Sequence, residues 1–374
     1  MKVEETLTEL VRINSVSANS NGEIIAYLSK RAEALGFSTR LLSYTDERGV
    51  EKLNLIALAG ASDSDVELAL VGHTDTVPFD SAWADALQLT ERDGKLYGRG
   101  ACDTKGFIAA ALNAVEKTGV ENLRRPLALI FTADEEVGCL GAKHLAAARA
   151  LGARYAVVGE PTSLQPMRAG KGYCLAEIIV RGREGHSAYP ALGASAIFRA
   201  ARLVKRIEEI ALRLKTENLR AEFDPPYTTL NVGLIQGGTA KNIIAGECRF
   251  TLEWRPVPGQ ATAHALSLVR AAVEDEKMLD ADFDCGLIAT RLDGSMETRA
   301  DSPLVKLMEE ASGKSSGTIA FGTEAPQMAE LGAEAVVFGP GNIRVAHRTG
   351  EFVPVEELHK CVEILSRAIE HFCG

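Results

Sequence analysis

Four short segments of the sequence are apolar at nearly every position, and each is followed by a turn. They read ELALVG at 67–72, LALIF at 127–131, YAVVG at 155–159 and AVVFGPG at 335–341. Strands that are apolar at every position are typical of a parallel sheet covered by helices on both faces. Helical patterns lie between the segments, at 23–36, 107–119 and 141–152. The sequence therefore predicts an α/β domain with a central, largely parallel sheet.

The middle of the chain follows a different pattern, in which polar and apolar residues alternate. Such alternation predicts antiparallel strands with one buried face and one exposed face. The predicted strands lie at 172–190, 228–238, 246–256 and 282–289. Two predicted helices, at 193–220 and 260–276, complete an α+β layer made of a four-stranded antiparallel sheet and two helices.

A chain of 374 residues exceeds the size at which one hydrophobic core usually keeps growing, so we expect two domains. We predict a first domain made of residues 1–170 and 291–374, with the α+β layer inserted as a second domain at 171–290.

The seven cysteines are scattered and form no CxxC pair, which argues against a disulfide framework and a thiolate zinc site.

Composition and charge exclude several classes of partner. The formal net charge of -10 disfavours nucleic acid, whose phosphates recruit basic surfaces. Residues 1–17 mix charged with apolar side chains and lack the uninterrupted apolar core of a signal peptide. No later stretch approaches the roughly 20 apolar residues that span a bilayer. We therefore predict a cytoplasmic protein that binds neither nucleic acid nor membrane.

Acidic and histidine side chains follow all four apolar segments. In chain order they are His73 and Asp75, then Asp134, Glu135 and Glu136, then Glu160, and finally His347. Asp103 lies in a glycine-rich loop, GRGACDTKG, before the helix at 107. Taken singly, each residue is more often structural, as a helix cap or a surface charge. Ligands of open α/β sheets gather beyond the carboxyl ends of the strands, so the joint pattern favours a binding site.

Two histidines and three carboxylates are a suitable ligand set for two divalent ions. Zinc accepts imidazole nitrogen and carboxylate oxygen, and a carboxylate can bridge two ions. Glu135 and Glu136 are neighbours that point in opposite directions in an extended chain, so one could be a ligand and the other a free base. Asp75 lies two positions from His73, where it could hydrogen-bond the second imidazole nitrogen and fix the tautomer.

The order of the motifs resembles the dinuclear-metal M20 peptidases and deacylases. The motifs are GHTDTVP, GRGACDTKG, TADEEVG, GEPT, GREGHSAYP, GGTAKNII, FGTEAP and AHRTGEFV, which run nearly from end to end of the chain. The resemblance implies one metal held by His73 and Glu160, a second held by Glu136 and His347, and Asp103 bridging them. It also implies Asp75 as the residue that orients His73 and Glu135 as the general base. Zn²⁺ is the expected ion, with Co²⁺ as an alternative.

The same resemblance implies further roles in and around the inserted domain. That domain would be a lid that also forms a homodimer, and His186 would reach the partner's site as an oxyanion donor. Asn242 and Arg255 would hold an N-acylated amino acid, and Glu324 would pair with a cationic side chain of that small-molecule substrate. The alternatives left open are another deacylase or dipeptidase of the family and a metal-binding protein without catalysis.

Overall fold

The computed structural model describes residues 1–60, 66–280 and 282–374, and the chain divides into two compact units. The first unit contains Met1–Arg168, Thr298–Gly317 and Thr323–Gly374. The second unit contains Ala169–Glu297 and Thr318–Gly322.

Helices and strands alternate along much of the chain. The helices are α1 (Val3–Arg12), α2 (Gly22–Ala34), α3 (Lys105–Thr118), α4 (Leu140–Ala147), α5 (Ala196–Leu214), α6 (His264–Leu279), α7 (Pro303–Ser312), α8 (Ala325–Glu330) and α9 (Val355–Cys373). Short 3-10 helices lie at Val120–Asn122, Pro190–Leu192 and Ile343–Val345. The strands are β1 (Ser38–Thr45), β2 (Glu51–Ala59), β3 (Val66–His73), β4 (Thr90–Arg92), β5 (Lys95–Tyr97), β6 (Leu127–Thr132), β7 (Ala153–Gly159), β8 (Met167–Gly170), β9 (Tyr173–Arg181), β10 (Gly185–His186), β11 (Thr229–Gly237), β12 (Ile243–Ile244), β13 (Glu247–Arg255), β14 (Asp284–Asp293), β15 (Met296–Glu297), β16 (Gly317–Ile319), β17 (Glu334–Phe338) and β18 (Phe352–Pro354).

The main sheet of the first unit has a parallel centre. Strand β3 lies between β6 and β7 and runs parallel to both, and β17 pairs parallel with β7. Strands β2 and β1 extend the sheet beyond β6 in antiparallel pairing. Every residue of β6 is buried, as expected for a strand whose two faces are covered. The predicted α/β fold with a largely parallel central sheet is confirmed.

Helices α1, α3 and α9 pack together in the hydrophobic core of the first unit. Helix α3 is buried along 105–115 and lies very close to the sheet. Gly159, the last residue of β7, permits this approach, because a Cβ there would lie 2.2 Å from the ring of Phe107. The start of α3, which directly follows the loop of Asp103, is thereby held against the ends of the parallel strands.

The second unit contains the predicted α+β layer. Its antiparallel sheet has the strand order β11-β13-β9-β14, and the apolar side chains of β9 and β13 face a core that also includes α5 and α6. The alternating residues of β9 in this core are Cys174, Ala176, Ile178 and Val180. A strand predicted over 172–190 ends instead at Arg181. The next residue, Gly182, is packed so tightly that a Cβ there would lie 2.2 Å from the carbonyl oxygen of Ala194.

Two predicted helices are shorter in the structure. Helix α4 ends at Ala147 rather than at 152, and Arg149 beyond it has a left-handed φ of 45° that a helix cannot continue. Helix α5 begins after Ser195, whose hydroxyl accepts a hydrogen bond from the amide of Phe198, and it ends at Leu214 rather than at 220. Non-glycine residues in the left-handed region are not evident from a hydrophobic pattern, which explains the error at the end of α4.

Candidate metal centre

Acidic and histidine side chains gather where the parallel strands of the first unit end. His73 is the last residue of β3, Glu160 directly follows β7, and Glu135 and Glu136 come shortly after β6. Because β3, β6 and β7 run parallel side by side, their carboxyl ends lie at one edge of the sheet. The structure therefore brings together the groups that the sequence predicted at this edge.

The carboxylate of Asp103 lies between two histidines. Its Oδ1 is 3.0 Å from Nε2 of His73, and its Oδ2 is 3.1 Å from Nε2 of His347. Nε2 of His347 is also 3.0 Å from Oε2 of Glu136. A carboxylate with each oxygen turned towards a different imidazole has the arrangement needed to be shared between two ions.

The chemistry of this cluster fits divalent cations. Two groups of side chains offer ligand atoms within 4.8 Å of one another, namely His73 with Glu135 and Glu160, and His73 with Asp103 and Glu136. Imidazole nitrogen and carboxylate oxygen are ligands that zinc accepts. Burial raises the pKa of Glu135 to about 8 and that of Glu160 well above its usual range. A nearby cation would favour the charged carboxylates that this burial opposes.

The two histidines provide positive charge within the cluster. Hydrogen bonds with Asp103 and Glu136 raise the pKa of His347 to about 10. Burial opposes protonation of His73, but hydrogen bonds with Asp103 and Asp75 raise its pKa well above the usual value. Against the effect of burial, His347 and His73 in turn hold the pKa of Asp103 below its usual range. Positive charge is thus stabilised at the places where the proposed ligands meet.

Asp75 connects the loop after β6 to the end of β3. Its Oδ1 accepts a hydrogen bond from the amide of Glu135 at 3.0 Å, and its Oδ2 accepts one from the amide of Glu136 at 3.2 Å. Its Oδ1 also lies 3.5 Å from Nδ1 of His73, which is 3.0 Å from the carbonyl oxygen of Asp75. The Ser17 hydroxyl donates to Oδ2 at 2.7 Å. Asp75 therefore contacts both glutamates of the loop through their backbone and His73 through its ring.

A buried ion pair lies beneath the same loop. Nζ of Lys52 is 2.8 Å from Oδ1 of Asp134, and each side chain is only 1% exposed. Lys52 also donates to the carbonyl oxygens of Ser17 and Asn19, and the Tyr44 hydroxyl donates to Asp134 at 2.9 Å. Asp134 has a left-handed φ of 56°, so these contacts stabilise the unusual turn that precedes Glu135. Lys52 was not among the residues predicted from the sequence.

A second buried ion pair, of Arg99 and Glu351, supports the loop that carries Asp103. Nη1 of Arg99 lies 2.6 Å from Oε2 of Glu351, and the two side chains are 3% and 1% exposed. Oε1 of Glu351 accepts hydrogen bonds from the amides of Cys102 and Asp103, at 2.9 and 3.0 Å. Glu351 lies in the motif AHRTGEFV, but the sequence alone indicated no role for it.

Glu324 is buried at the N-terminal end of α8. Burial raises its pKa to about 7, while His73 and the Thr132 hydroxyl act in the opposite direction. Among the described residues, no hydrogen bond of normal geometry reaches either carboxylate oxygen of Glu324. A buried carboxylate with so little hydrogen bonding is costly, so Glu324 is suited to receive a further donor from a bound molecule.

The predicted substrate and oxyanion residues of the second unit lie on its strands and loops. His186 is exposed on β10, and its Nδ1 accepts a hydrogen bond from the amide of Ala188 at 3.1 Å. The carbonyl oxygen of Asn242 accepts a hydrogen bond from the amide of Ser187, so Asn242 lies beside His186 within this unit. Their predicted roles in oxyanion and substrate binding stay predictions.

Arg255, at the end of β13, is already engaged within the second unit. Its Nε lies 2.7 Å from Glu253, and its Nη1 donates to the carbonyl oxygen of Ala320 at 2.8 Å. The guanidinium also stacks over the ring of Tyr173. Binding of a substrate carboxylate by Arg255 would use its remaining donors, and this role also stays a prediction.

The chain matches the family model described as Peptidase family M20/M25/M40 over residues 69–371. It belongs to that family. Together with the cluster of histidine and carboxylate side chains, this membership defines a metal-dependent amide hydrolase. No helix in the described ranges is long and apolar enough to cross a membrane.

Curated relatives extend the match along nearly the whole chain. The chain is 55% identical over 370 residues to an acetylornithine deacetylase of Myxococcus xanthus, covering 99% of this chain and 97% of that protein. It is 36% identical to an acetylornithine deacetylase of Proteus mirabilis, with 99% and 96% covered. Its fold is similar to that of a tripeptidase from Staphylococcus aureus, with a TM-score of 0.80, 22% identity, and 99% and 97% of the two chains covered.

Proposed function

We propose that this protein removes the acetyl group from N-acetyl-L-ornithine, giving ornithine and acetate. The main support is the similarity to acetylornithine deacetylases along nearly the whole chain, which reaches 55% identity. In addition, predicted metal ligands lie close together at one edge of the main sheet. The reaction would belong to arginine biosynthesis in the cytoplasm.

The proposed cofactor is a pair of divalent ions, with Zn²⁺ as the first choice and Co²⁺ as the alternative. His73 and Glu160 would hold one ion, Glu136 and His347 the other, and Asp103 both. The position of Asp103, with one oxygen towards each histidine, supports this assignment. When bound, such ions lower the pKa of a coordinated water from about 16 towards about 7.

The residues of the chain would then move the proton and stabilise charge. Glu135 takes a proton from the attacking water at its carboxylate and returns it to the nitrogen of the leaving amine. An oxygen of Glu135 lies within 4.8 Å of the ligand atoms of His73 and Glu160, which supports proton exchange between this carboxylate and the attacking water. Asp75, near Nδ1 of His73, orients that ring. Negative charge that develops on the amide oxygen needs a hydrogen-bond donor.

We assign that donor role to His186 of the partner subunit in a homodimer formed through the inserted domain, 171–290. His186→Ala should lower kcat by about 10²–10³-fold, because one oxyanion donor is lost. Mixed dimers of a His186→Ala subunit and a Glu135→Ala subunit should regain about half of the wild-type kcat, since one of their two sites is intact. Purified mixed dimers with no recovery would contradict action in trans.

Substrate binding would involve three residues with different tasks. Arg255 and Asn242 would bind the carboxylate and carbonyl region of the N-acetylated amino acid, because a guanidinium matches a carboxylate in bidentate fashion. Glu324 would receive the side-chain amine of ornithine. Its buried carboxylate, whose oxygens lack hydrogen bonds of normal geometry to the described residues, together with its influence on the titration of Glu135, supports a place close to the reacting groups.

Replacing Glu324 by glutamine should reduce the preference for acetylornithine over acetylmethionine by about 10- to 100-fold, because a charged hydrogen bond of about 1.5–3 kcal/mol is lost. The ratio of the two kcat/KM values is the measurement. Glu330→Gln, which changes an exposed glutamate at the other end of α8, is the matched control and should leave the ratio unchanged. An unchanged ratio in Glu324→Gln would remove Glu324 from substrate selection.

A panel of N-acyl amino acids and dipeptides tests the proposed function itself. The metal-reconstituted protein should hydrolyse N-acetylornithine with the highest kcat/KM of the panel. A higher value for succinyl-diaminopimelate, for another N-acyl amino acid or for a dipeptide would identify a different deacylase or dipeptidase of the same family.

A further inference from the structure

The pair of Arg99 and Glu351 differs from an ordinary buried ion pair in what it contacts. Glu351 uses one carboxylate oxygen for Arg99 and the other for the two successive backbone amides of Cys102 and Asp103. A carboxylate that accepts backbone amides makes stronger hydrogen bonds than a neutral acceptor. The backbone of the proposed bridging residue is thus held by charge-assisted bonds rather than by the loop alone.

Glu351 also belongs to the same short segment as His347. His347 contacts the side-chain carboxylate of Asp103 at 3.1 Å, while Glu351 contacts the backbone amide of the same residue. In addition, the amide of Gly98 donates to the carbonyl oxygen of Glu351 at 3.1 Å. The segment around His347 and the loop around Asp103 are therefore joined through both side chains and backbone.

The remaining contacts of Arg99 keep Glu351 in place. The guanidinium lies over the ring of Trp83, and Nη2 donates to the carbonyl oxygen of Pro78 at 3.4 Å. The amide of Arg99 donates to the carbonyl oxygen of Ala86. Arg99 is thus anchored to the segment 78–86 and can orient Glu351 through the carboxylate oxygen that does not contact the amides of Cys102 and Asp103.

We propose that Glu351, oriented by Arg99, is a positioning residue that sets the direction of the Asp103 carboxylate, so that each of its oxygens faces a different histidine. The inference rests on the proposed function in one respect, since it takes Asp103 to be a metal ligand. Without Glu351, the amides of residues 102 and 103 lose their acceptor and the loop can turn the carboxylate away from one histidine. Metal affinity should then fall, as it does when residues that orient ligands are removed.

The experiment is zinc binding to the full-length chain, measured by competition with a chelating indicator. Glu351→Gln should weaken zinc binding by about 10- to 100-fold. The glutamine side chain is uncharged and has only one acceptor oxygen, so it cannot accept hydrogen bonds from Arg99 and from both backbone N–H groups as the carboxylate does. Glu276→Gln is the matched control. Glu276 is likewise buried and pairs with Arg202 and Arg206, but it lies on α6 in the second unit. The Glu276→Gln protein should therefore bind zinc with wild-type affinity.

Two further variants make the result decisive. Asp103→Asn should itself weaken zinc binding, and wild-type affinity in this variant would contradict the assignment of Asp103 as a ligand. If Asp103→Asn weakens zinc binding but Glu351→Gln does not, the ligand assignment stands and only the positioning role of Glu351 is overturned. Where Glu351→Gln does not fold, Arg99→Lys decides, because it keeps the charge and loses the planar fork. Arg99→Lys should weaken binding and alter the visible spectrum of the cobalt-loaded protein; wild-type affinity and spectrum would overturn the inference.

Discussion

Replacing Glu135 by glutamine will lower kcat for N-acetylornithine by about 10²–10⁴-fold, the usual contribution of a general acid and base. Glutamine keeps the size of the side chain but cannot accept a proton from water or return one to the leaving amine. The amide of residue 135 would still donate to Asp75, so the loop should keep its conformation. The measurement is kcat together with zinc content per chain, determined on the same preparation.

The zinc content separates a base from a ligand. An oxygen of Glu135 lies within 4.8 Å of the ligand atoms of His73 and Glu160, so the distances alone permit Glu135 to bind an ion. We expect Glu135→Gln to retain the wild-type zinc content. Glu310→Gln, an exposed glutamate paired with Arg367, is a control that should keep both activity and metal. Loss of zinc together with activity would make Glu135 a ligand and contradict its assignment as the base.

Removing the metal should abolish activity, and adding Zn²⁺ or Co²⁺ to the chelated protein should restore it. In the proposed mechanism the ions lower the pKa of the attacking water, so hydrolysis should depend on them. Activity is assayed before chelation, after chelation and after each ion is returned. Full activity in a protein shown by metal analysis to be free of divalent ions would contradict the proposed mechanism.

Chelation should also lower the stability of the fold. Ions that bind only the native state stabilise it by about 2.7 kcal/mol when free metal is about 100 times the Kd. Without the ions, burial disfavours the ionised forms of Glu135 and Glu160, as the raised pKa values of these two groups indicate. The midpoint of thermal unfolding should therefore rise on addition of zinc, and the same midpoint with and without zinc would contradict a site formed by buried ligands.

The parallel part of the fold could be predicted because its strands are apolar at nearly every position. The antiparallel pair β1 and β2 was not predicted, although β2 is largely buried. Strand β1 is mainly exposed or half-buried and has no clean alternation of buried and exposed residues, so it carries a weak signal. The end of helix α4 was placed too far along the chain because Arg149 takes a left-handed conformation that residue type does not reveal.

The candidate site was predictable to the extent that its residues follow strands. His73 and Glu160 adjoin the ends of two adjacent parallel strands, which a sequence pattern can indicate. Lys52 and Glu351 act through contacts with residues that are 82 and 248 positions away, Asp134 and Asp103 respectively. No local spacing encodes such contacts, so the residues that hold the ligand loops became evident only from the three-dimensional arrangement.

The proposed site has five side chains that hold two ions, with Glu135 free beside them. A crystal structure of the zinc-loaded protein, with anomalous scattering to locate the ions, would show whether this arrangement exists. The predicted result is two zinc peaks per chain, with Asp103 contacting both, His73 and Glu160 on one, Glu136 and His347 on the other. A single peak, or a zinc ion bound directly by Glu135, would contradict the proposed two-metal site.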